Sequence, residues 1–172
     1  MDLTATRATA QRLICKPYTI MELRHTIAAR LHLLHRLSCP WSSDAPPSRA
    51  WLGEYGELVA ASYLRAKGLK VLYRNFRYGD SGEIDIMCRD KKTLVACEVK
   101  SSASPQSGAP MRAVNRAKRE LLRKGMRNWL HLLKRDDIPT RFDIIEVYLL
   151  PGQKPDIRHH AGAFGMHEGN KL

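Results

Sequence analysis

The sequence predicts an α/β protein in which a mixed central sheet is flanked by helices, in the element order α-β-β-β-α-β. Three observations support this class. Two stretches repeat apolar residues at helical spacing, and the region between them alternates apolar and polar residues at strand spacing. A short apolar stretch after the second helical region has the length of a buried strand. Elements in this order build a sheet that helices cover.

The elements can be assigned in chain order. The first helix is predicted over residues 50–67 and ends at Gly68, a residue type suited to helix ends. A strand follows over residues 69–77. The second helix is predicted over residues 113–134, and the last strand over residues 141–150. The candidate core residues of the two helices are Leu52, Leu58, Val59, Ala61, Tyr63, Leu64, Val114, Leu121, Leu122, Met126, Trp129, Leu130 and Leu133.

Residues 82–100, GEIDIMCRDKKTLVACEVK, are predicted to form two strands joined by a tight turn at Lys91 and Lys92. In that register Asp85 lies opposite Glu98. A shift by one residue would send the charges into the core, which favours this register. One face then carries Ile84, Ile86, Cys88, Val95, Cys97 and Val99, and the other carries Glu83, Asp85, Glu98 and Lys100.

Two carboxylates opposite each other repel at a cost of roughly a few tenths to 1 kcal/mol, so a cation is expected beside them. Lys100 is one candidate, because it shares their face. A divalent metal is the other, and oxygen ligands of this kind suit Mg²⁺ or Mn²⁺ better than zinc. The alternative is a surface charge network around Lys100 without any ligand. Asp85 is followed by twelve residues and then by the sequence Glu-Val-Lys, and this spacing favours the metal site.

Composition points to a polyanionic partner. The 172 residues carry a formal net charge of +12, which favours nucleic acid and, less directly, an acidic membrane surface. No stretch is apolar enough to span a membrane. The four cysteines show no Cys-x-x-Cys spacing and indicate reduced thiols in a cytoplasmic protein; they are Cys15, Cys39, Cys88 and Cys97.

The chain is expected to divide into three parts. Residues 1–48 form a basic N-terminal extension and linker, poorly ordered apart from one amphipathic helix at about residues 18–38. Residues 49–164 form the folded domain, and residues 165–172 form a C-terminal tail. The extension is rich in arginine and poor in acids, as organelle transit peptides are, although we prefer the interpretation of an appendage.

Five segments in order resemble the YraN family of small bacterial proteins: GEYGELVAASYL, GLKVLYRNFR, GEIDIM, EVK and TRFDII. The resemblance covers about residues 51–164. That family is assigned to the restriction-endonuclease-like PD-(D/E)XK nuclease superfamily and is similar to archaeal Holliday junction resolvases. The resemblance therefore implies a restriction-endonuclease-like core and a metal-dependent nuclease. Ser102 departs from the family pattern, because the family often has a basic residue two positions after the lysine, beside the substrate.

Carried over to this chain, the resemblance implies catalytic roles for Asp85, Glu98, Lys100 and Glu57. Asp85 is the metal-binding acid of the second strand, and Glu98 with Lys100 is the acid-x-lysine pair. Glu57 is the glutamate of the first helix. Mg²⁺ or Mn²⁺ is the implied cofactor, with Asp85, Glu98, the Val99 carbonyl and Glu57 as candidate metal ligands.

A basic helix beside such a site is expected to contact phosphates. The predicted nucleic-acid-binding residues are Asn75, Arg77, Arg112, Arg116, Lys118, Arg119 and Arg123. Asn75 has an alternative structural role at the end of its strand, and Arg141 is expected to pair with Asp143.

Three functions fit these observations. The first is a Mg²⁺-dependent endonuclease that acts on DNA, including structured or branched DNA. The second is a nucleic-acid-binding module of the same fold without catalysis. The third is a membrane-surface or scaffold protein that acts through its basic N-terminal helix. Oligomeric state stays open, with a homodimer as one option.

Overall fold

The computed structural model describes residues 34–41, 47–104 and 114–167. The elements are helix α1 (Arg49–Ala66), strands β1 (Lys70–Phe76), β2 (Ile84–Asp90) and β3 (Thr93–Ser102), helix α2 (Arg116–Leu133), and strands β4 (Thr140–Tyr148) and β5 (Asp156–Phe164). The five strands form one sheet in chain order. Strands β3 and β4 run parallel, and the other neighbours run antiparallel. The predicted α/β class with a mixed, helix-flanked sheet is confirmed, and the architecture agrees with a restriction-endonuclease-like core.

The sheet separates two apolar clusters, one under each helix. The α2 cluster contains Leu72, Phe76, Ile84, Met87, Leu94, Ala96, Val114, Leu122, Met126, Trp129, Leu132, Leu133, Phe142 and Ile144. The α1 cluster contains Cys39, Val59, Ala60, Ala61, Leu64, Leu69, Ile86, Cys88, Val95, Cys97, Val99, Ile145, Val147 and Leu149. Burial of this apolar surface on both faces is the main source of stability for such a fold.

The predicted register of the β2–β3 hairpin is confirmed. Asp90 pairs with Thr93 and Ile86 pairs with Cys97, so Lys91 and Lys92 form the turn. Lys91 takes a left-handed backbone conformation, with φ of 52°, which closes the turn.

The predicted face of Ile84 is wrong. Ile84 packs in the α2 cluster, whereas Ile86 packs in the α1 cluster. The antiparallel partner of Ile84 is Phe76, which also packs under α2. Asn75, between Arg74 and Phe76, has a left-handed φ of 55°, and this conformation interrupts the alternation of side chains in β1. Ile84 follows its partner to the α2 side.

Strand β5 was not predicted, because it lies at the sheet edge and its sequence lacks a regular alternation. It is anchored by Phe164, whose ring stacks on that of Phe142 with centroids 4.7 Å apart. The core assignment of Leu121 is also wrong, since this side chain is 41% exposed. The predicted ion pair between Arg141 and Asp143 is confirmed, with 2.9 Å between Nε and Oδ1.

The predicted domain start at residue 49 coincides with the first residue of α1, and the Ser48 side chain caps the helix by accepting a hydrogen bond from Trp51 N. Residues 34–41 nevertheless pack against the domain. Cys39 is buried, and its backbone N–H donates to Gln153 O at 2.7 Å. Most of the predicted helix at residues 18–38 and Cys15 lie outside the described residues. Neither α1 nor α2 is apolar enough over its length to cross a bilayer.

Candidate active site

The two carboxylates that the sequence placed opposite each other lie where the β2–β3 ladder ends. The last backbone pair on this side is Ile86 with Cys97. Beyond it, Val99 N–H donates to Asp85 Oδ2 at 2.7 Å, so the aspartate side chain continues the connection between the strands. Because Val99 itself is buried, the flanking side chains of Glu98 and Lys100 are fixed by a packed strand.

Glu98 is a buried carboxylate held by two ammonium groups. Its side chain is 2% exposed, which makes an uncompensated charge costly. Lys100 Nζ donates a hydrogen bond to Oε1 at 2.8 Å. Lys118 Nζ, from the first turn of α2, lies 3.1 Å from Oε2. That contact is electrostatic, since Oε2 has no hydrogen bond from the described residues.

Asp85 is less well compensated than Glu98. Burial, followed by the repulsion of Glu98, raises the pKa of Asp85 to about 7. The hydrogen bond from Val99 and the charge of Lys118 act in the opposite direction, and Glu57 adds to the repulsion. Asp85 is therefore a buried carboxylate beside a second carboxylate, a setting that favours either a proton or a cation.

Helix α1 brings Glu57 to the same end of the sheet. Gly56 permits the close approach, because a Cβ at this position would lie 2.7 Å from the Cβ of Ser101 in β3. Glu57 Oε2 accepts a hydrogen bond from Arg74 at 3.2 Å. Burial raises the pKa of Glu57, while the Arg74 hydrogen bond and charge lower it.

A cavity of about 490 Å³ opens beside Glu57, between α1 and β1. Its wall combines cationic, acidic and amide side chains with the open surface of Gly53. The lining includes Arg49, Gly53, Glu54, Glu57, Arg74 and Asn75. Of the candidate metal ligands, Glu57 lines this cavity.

The donor set suits a hard divalent cation. Carboxylate and carbonyl oxygens are the ligands that Mg²⁺ and Mn²⁺ prefer, and Asp85, Glu98 and Val99 O supply them. Glu98 Oε2 is buried without a hydrogen bond, which leaves a lone pair for such an ion. Within the described residues, however, no three side chains of the His, Cys, Asp and Glu types are arranged as a metal site. Glu57 is held by Arg74 instead.

The predicted phosphate contacts fall into different settings. Asn75, Arg77 and Arg116 are exposed, and Arg112 lies outside the described residues. Arg119 Nε donates to Val114 O at 3.0 Å, and its guanidinium lies over the Phe164 ring. Arg123 is 2% exposed and donates to Gly165 O at 2.9 Å. We therefore leave Arg123 out of the proposed nucleic-acid surface, because its guanidinium cannot reach a ligand there.

The sequence did not predict two of the cationic side chains that hold the candidate metal ligands. Lys118 was expected to contact phosphates, but its ammonium lies at Glu98. Arg74 was not singled out, although it holds Glu57. The alternation in β1 does not indicate this position, because the register shifts between Val71 and Tyr73; the partner of Arg74 is Ile86, which faces α1. No sequence signal joins Lys118 to a strand 20 residues earlier.

Comparison with known proteins decides the family. The model of uncharacterised protein family UPF0102 matches residues 56–147, more than half of the chain. The chain belongs to this family. UPF0102 is the YraN family, so the resemblance noted in the sequence is confirmed.

Similar UPF0102 proteins come from several bacteria. The Geobacter metallireducens protein is 42% identical over 115 residues, which are 67% of this chain and 93% of the relative. The Syntrophotalea carbinolica protein is 38% identical over 118 residues, 69% of this chain and 94% of the relative. The Streptomyces coelicolor protein is 38% identical over 118 residues, 67% of this chain and 89% of the relative.

Proposed function

We propose that this UPF0102 protein is a Mg²⁺- or Mn²⁺-dependent endonuclease that hydrolyses phosphodiester bonds in DNA, including branched or structured DNA, in the cytoplasm. The observation that carries the proposal is the position of Asp85 and Glu98 on adjacent strands where the β2–β3 ladder ends, with Lys100 beside them. The high net charge of +12 supports a polyanionic substrate.

Each residue then has a definite role. Asp85, Glu98 and the Val99 carbonyl would hold the metal, with Glu57 completing its shell directly or through water. The chemistry that a divalent metal supplies in such a site is activation of water and neutralisation of charge on the phosphate. Lys100, which is 31% exposed, can reach a phosphate oxygen or orient the attacking water while its ammonium is held by Glu98.

One observation favours a second candidate, a nucleic-acid-binding module without catalysis. Two lysines already compensate Glu98, so the fold does not require a metal to stabilise this buried charge. Such a module would bind DNA but leave it intact. Incubation of the protein with DNA, with and without a divalent metal, separates the two functions.

The test is incubation with linear duplex, single-stranded and four-way-junction DNA, and with RNA, in EDTA, Mg²⁺ or Mn²⁺. Cleavage should require the metal. Lys100→Ala should lower the cleavage rate by roughly 100-fold or more and leave substrate affinity nearly unchanged, because a group acting in the transition state affects rate more than binding.

Lys92→Ala is the matched control, since Lys92 is an exposed lysine at the opposite end of the same hairpin. It should cleave like the wild type. DNA binding without cleavage of any substrate, at any metal concentration, would select the non-catalytic module. A parallel, modest loss of rate and affinity in Lys100→Ala would reduce Lys100 to a phosphate contact.

A further inference from the structure

We propose that Lys118 is a place-holding cation: its ammonium neutralises Glu98 in the metal-free protein and leaves Glu98 when a divalent metal binds. This inference rests on the proposed metal site and assigns a role to a residue outside the ligand set. Lys118 acts as a positioning residue, because it holds the candidate ligand Glu98 in the metal-free protein.

The two lysines at Glu98 are held in different ways. Lys100 Nζ makes a directed hydrogen bond to Oε1 at 2.8 Å. Lys118 Nζ lies 3.1 Å from Oε2 without hydrogen-bond alignment, and its other contact, with Glu83 O, is long at 3.4 Å. Lys118 is therefore retained mainly by charge, and Oε2 accepts no hydrogen bond from the described residues.

Lys118 is also free to leave. Its side chain is 27% exposed and reaches the site from α2, whereas both carboxylates belong to the β2–β3 hairpin. A lysine stem has four flexible carbons, so the ammonium can move to solvent without any shift of the helix. At the end of the site that faces solvent, it would meet the phosphates of a bound strand.

Charge compensation gives a reason for the exchange. A carboxylate as buried as Glu98 needs a cation in every state of the protein. An ammonium and a divalent ion at the same oxygen repel each other strongly at short distance. Exchange of one for the other keeps Glu98 compensated and avoids that repulsion. Metal binding would then release a positive charge toward the substrate.

The experiment measures melting temperature in EDTA and in saturating Mg²⁺, with Mg²⁺ affinity from calorimetry, and without any nucleic acid. Lys118→Met should lower the melting temperature in EDTA, because Glu98 loses a partner. In Mg²⁺ that deficit should disappear. Mg²⁺ affinity should rise by up to roughly tenfold, since binding no longer displaces an ammonium.

Two controls keep the comparison specific. Lys100→Met should be less stable than the wild type in both EDTA and Mg²⁺, because the wild type keeps the Lys100 hydrogen bond to Oε1 in both conditions and the variant lacks it. Lys124→Met, on the same helix, loses only an exposed pair with Asp80 and should not alter Mg²⁺ affinity. Lys118→Gln, which keeps a polar side chain, replaces Lys118→Met if the latter does not fold.

The outcomes separate this inference from the proposed function. An equal stability deficit in EDTA and Mg²⁺, with Mg²⁺ affinity unchanged or weaker, would make Lys118 a fixed structural partner and overturn the exchange alone. Absence of Mg²⁺ binding in the wild type and in all variants would overturn both the exchange and the metal site.

Discussion

At the scale of single residues, the site is dominated by the unequal compensation of two carboxylates. Glu98 has two ammonium groups, whereas Asp85 Oδ2 is met by one backbone N–H. The raised pKa of Asp85 follows from burial and from the charge of Glu98. A residue with a strongly shifted pKa beside a groove is a frequent mark of a functional site.

This shift predicts how stability depends on pH in the metal-free protein. The folded state binds a proton at Asp85 more tightly than the unfolded state, so unfolding free energy falls as pH rises from about 4 to about 7. Asp85→Asn should remove the part of this pH dependence of the unfolding free energy that Asp85 contributes. The variant should be more stable than the wild type at pH 8 by about 1 kcal/mol, the cost of a like-charged pair on a sheet.

Urea unfolding in EDTA at pH 5 and pH 8 checks this prediction. Asp80→Asn is a control: Lys124 lowers the pKa of Asp80, so its titration lies below this pH range. The variant Asp85→Asn should also lose the rise in melting temperature that Mg²⁺ gives. Destabilisation of metal-free Asp85→Asn at pH 8, with a wild type indifferent to Mg²⁺, would assign these charges to the fold alone.

At the scale of elements, two glycines set the distances at which the helices approach the sheet. Gly56 places α1 against Ser101 at the end of β3, next to Glu57. Gly82 places the segment before β2 against Leu121, since an added Cβ would lie 2.5 Å from the Leu121 Cβ. The second contact fixes the first turns of α2, and with them Lys118, beside the strand ends.

Gly56→Ala should therefore destabilise the protein, by about 1–3 kcal/mol for overpacking, and should weaken metal binding because Glu57 moves with the helix. Gly53→Ala is a close control, because no atom of the described residues lies within 4 Å of a Cβ there. It should stabilise the helix by up to about 1 kcal/mol. Chemical unfolding of both variants gives the two values.

The double variant Gly56→Ala/Ser101→Gly removes the obstructing side chain and should recover much of the lost stability. A Gly56→Ala protein as stable as Gly53→Ala would show that α1 can move away from β3 freely. In that case the close approach would not explain the position of Glu57.

The element scale also shows what the sequence could and could not reveal. The hairpin register was predictable, because a period of two and a two-residue turn leave few alternatives. The face of Ile84 was not, since it depends on the left-handed backbone of Asn75 in the neighbouring strand. Strand β5 has no apolar pattern of its own, and the Lys118 contact depends on how α2 packs against the sheet. The hairpin register depends on residues that are close in the sequence, whereas the face of Ile84, strand β5 and the Lys118 contact depend on tertiary packing.

At the scale of the whole molecule, positive charge is spread along the chain. Residues 1–33 contain five basic and two acidic residues, so they contribute +3 of the net +12 and leave +9 for the remainder. Residues 34–41 contribute packing as well, because Cys39 is buried in the α1 cluster. The domain that would bind nucleic acid thus includes a segment ahead of α1.

Two truncations should therefore behave differently. A protein of residues 34–172 should melt near the full-length temperature, whereas one of residues 49–172 should melt lower, because it exposes the surface that Cys39 covers. The 34–172 protein should also bind DNA with nearly the full-length dependence of log affinity on log salt, since the proposed phosphate contacts lie in the domain. Anisotropy titrations at several salt concentrations, beside sedimentation with anionic liposomes, measure both properties. If the truncation abolishes DNA binding, the basic extension and not the domain carries that interaction. If full-length protein binds liposomes through residues 1–33 and does not bind DNA, the membrane-surface function replaces the nuclease.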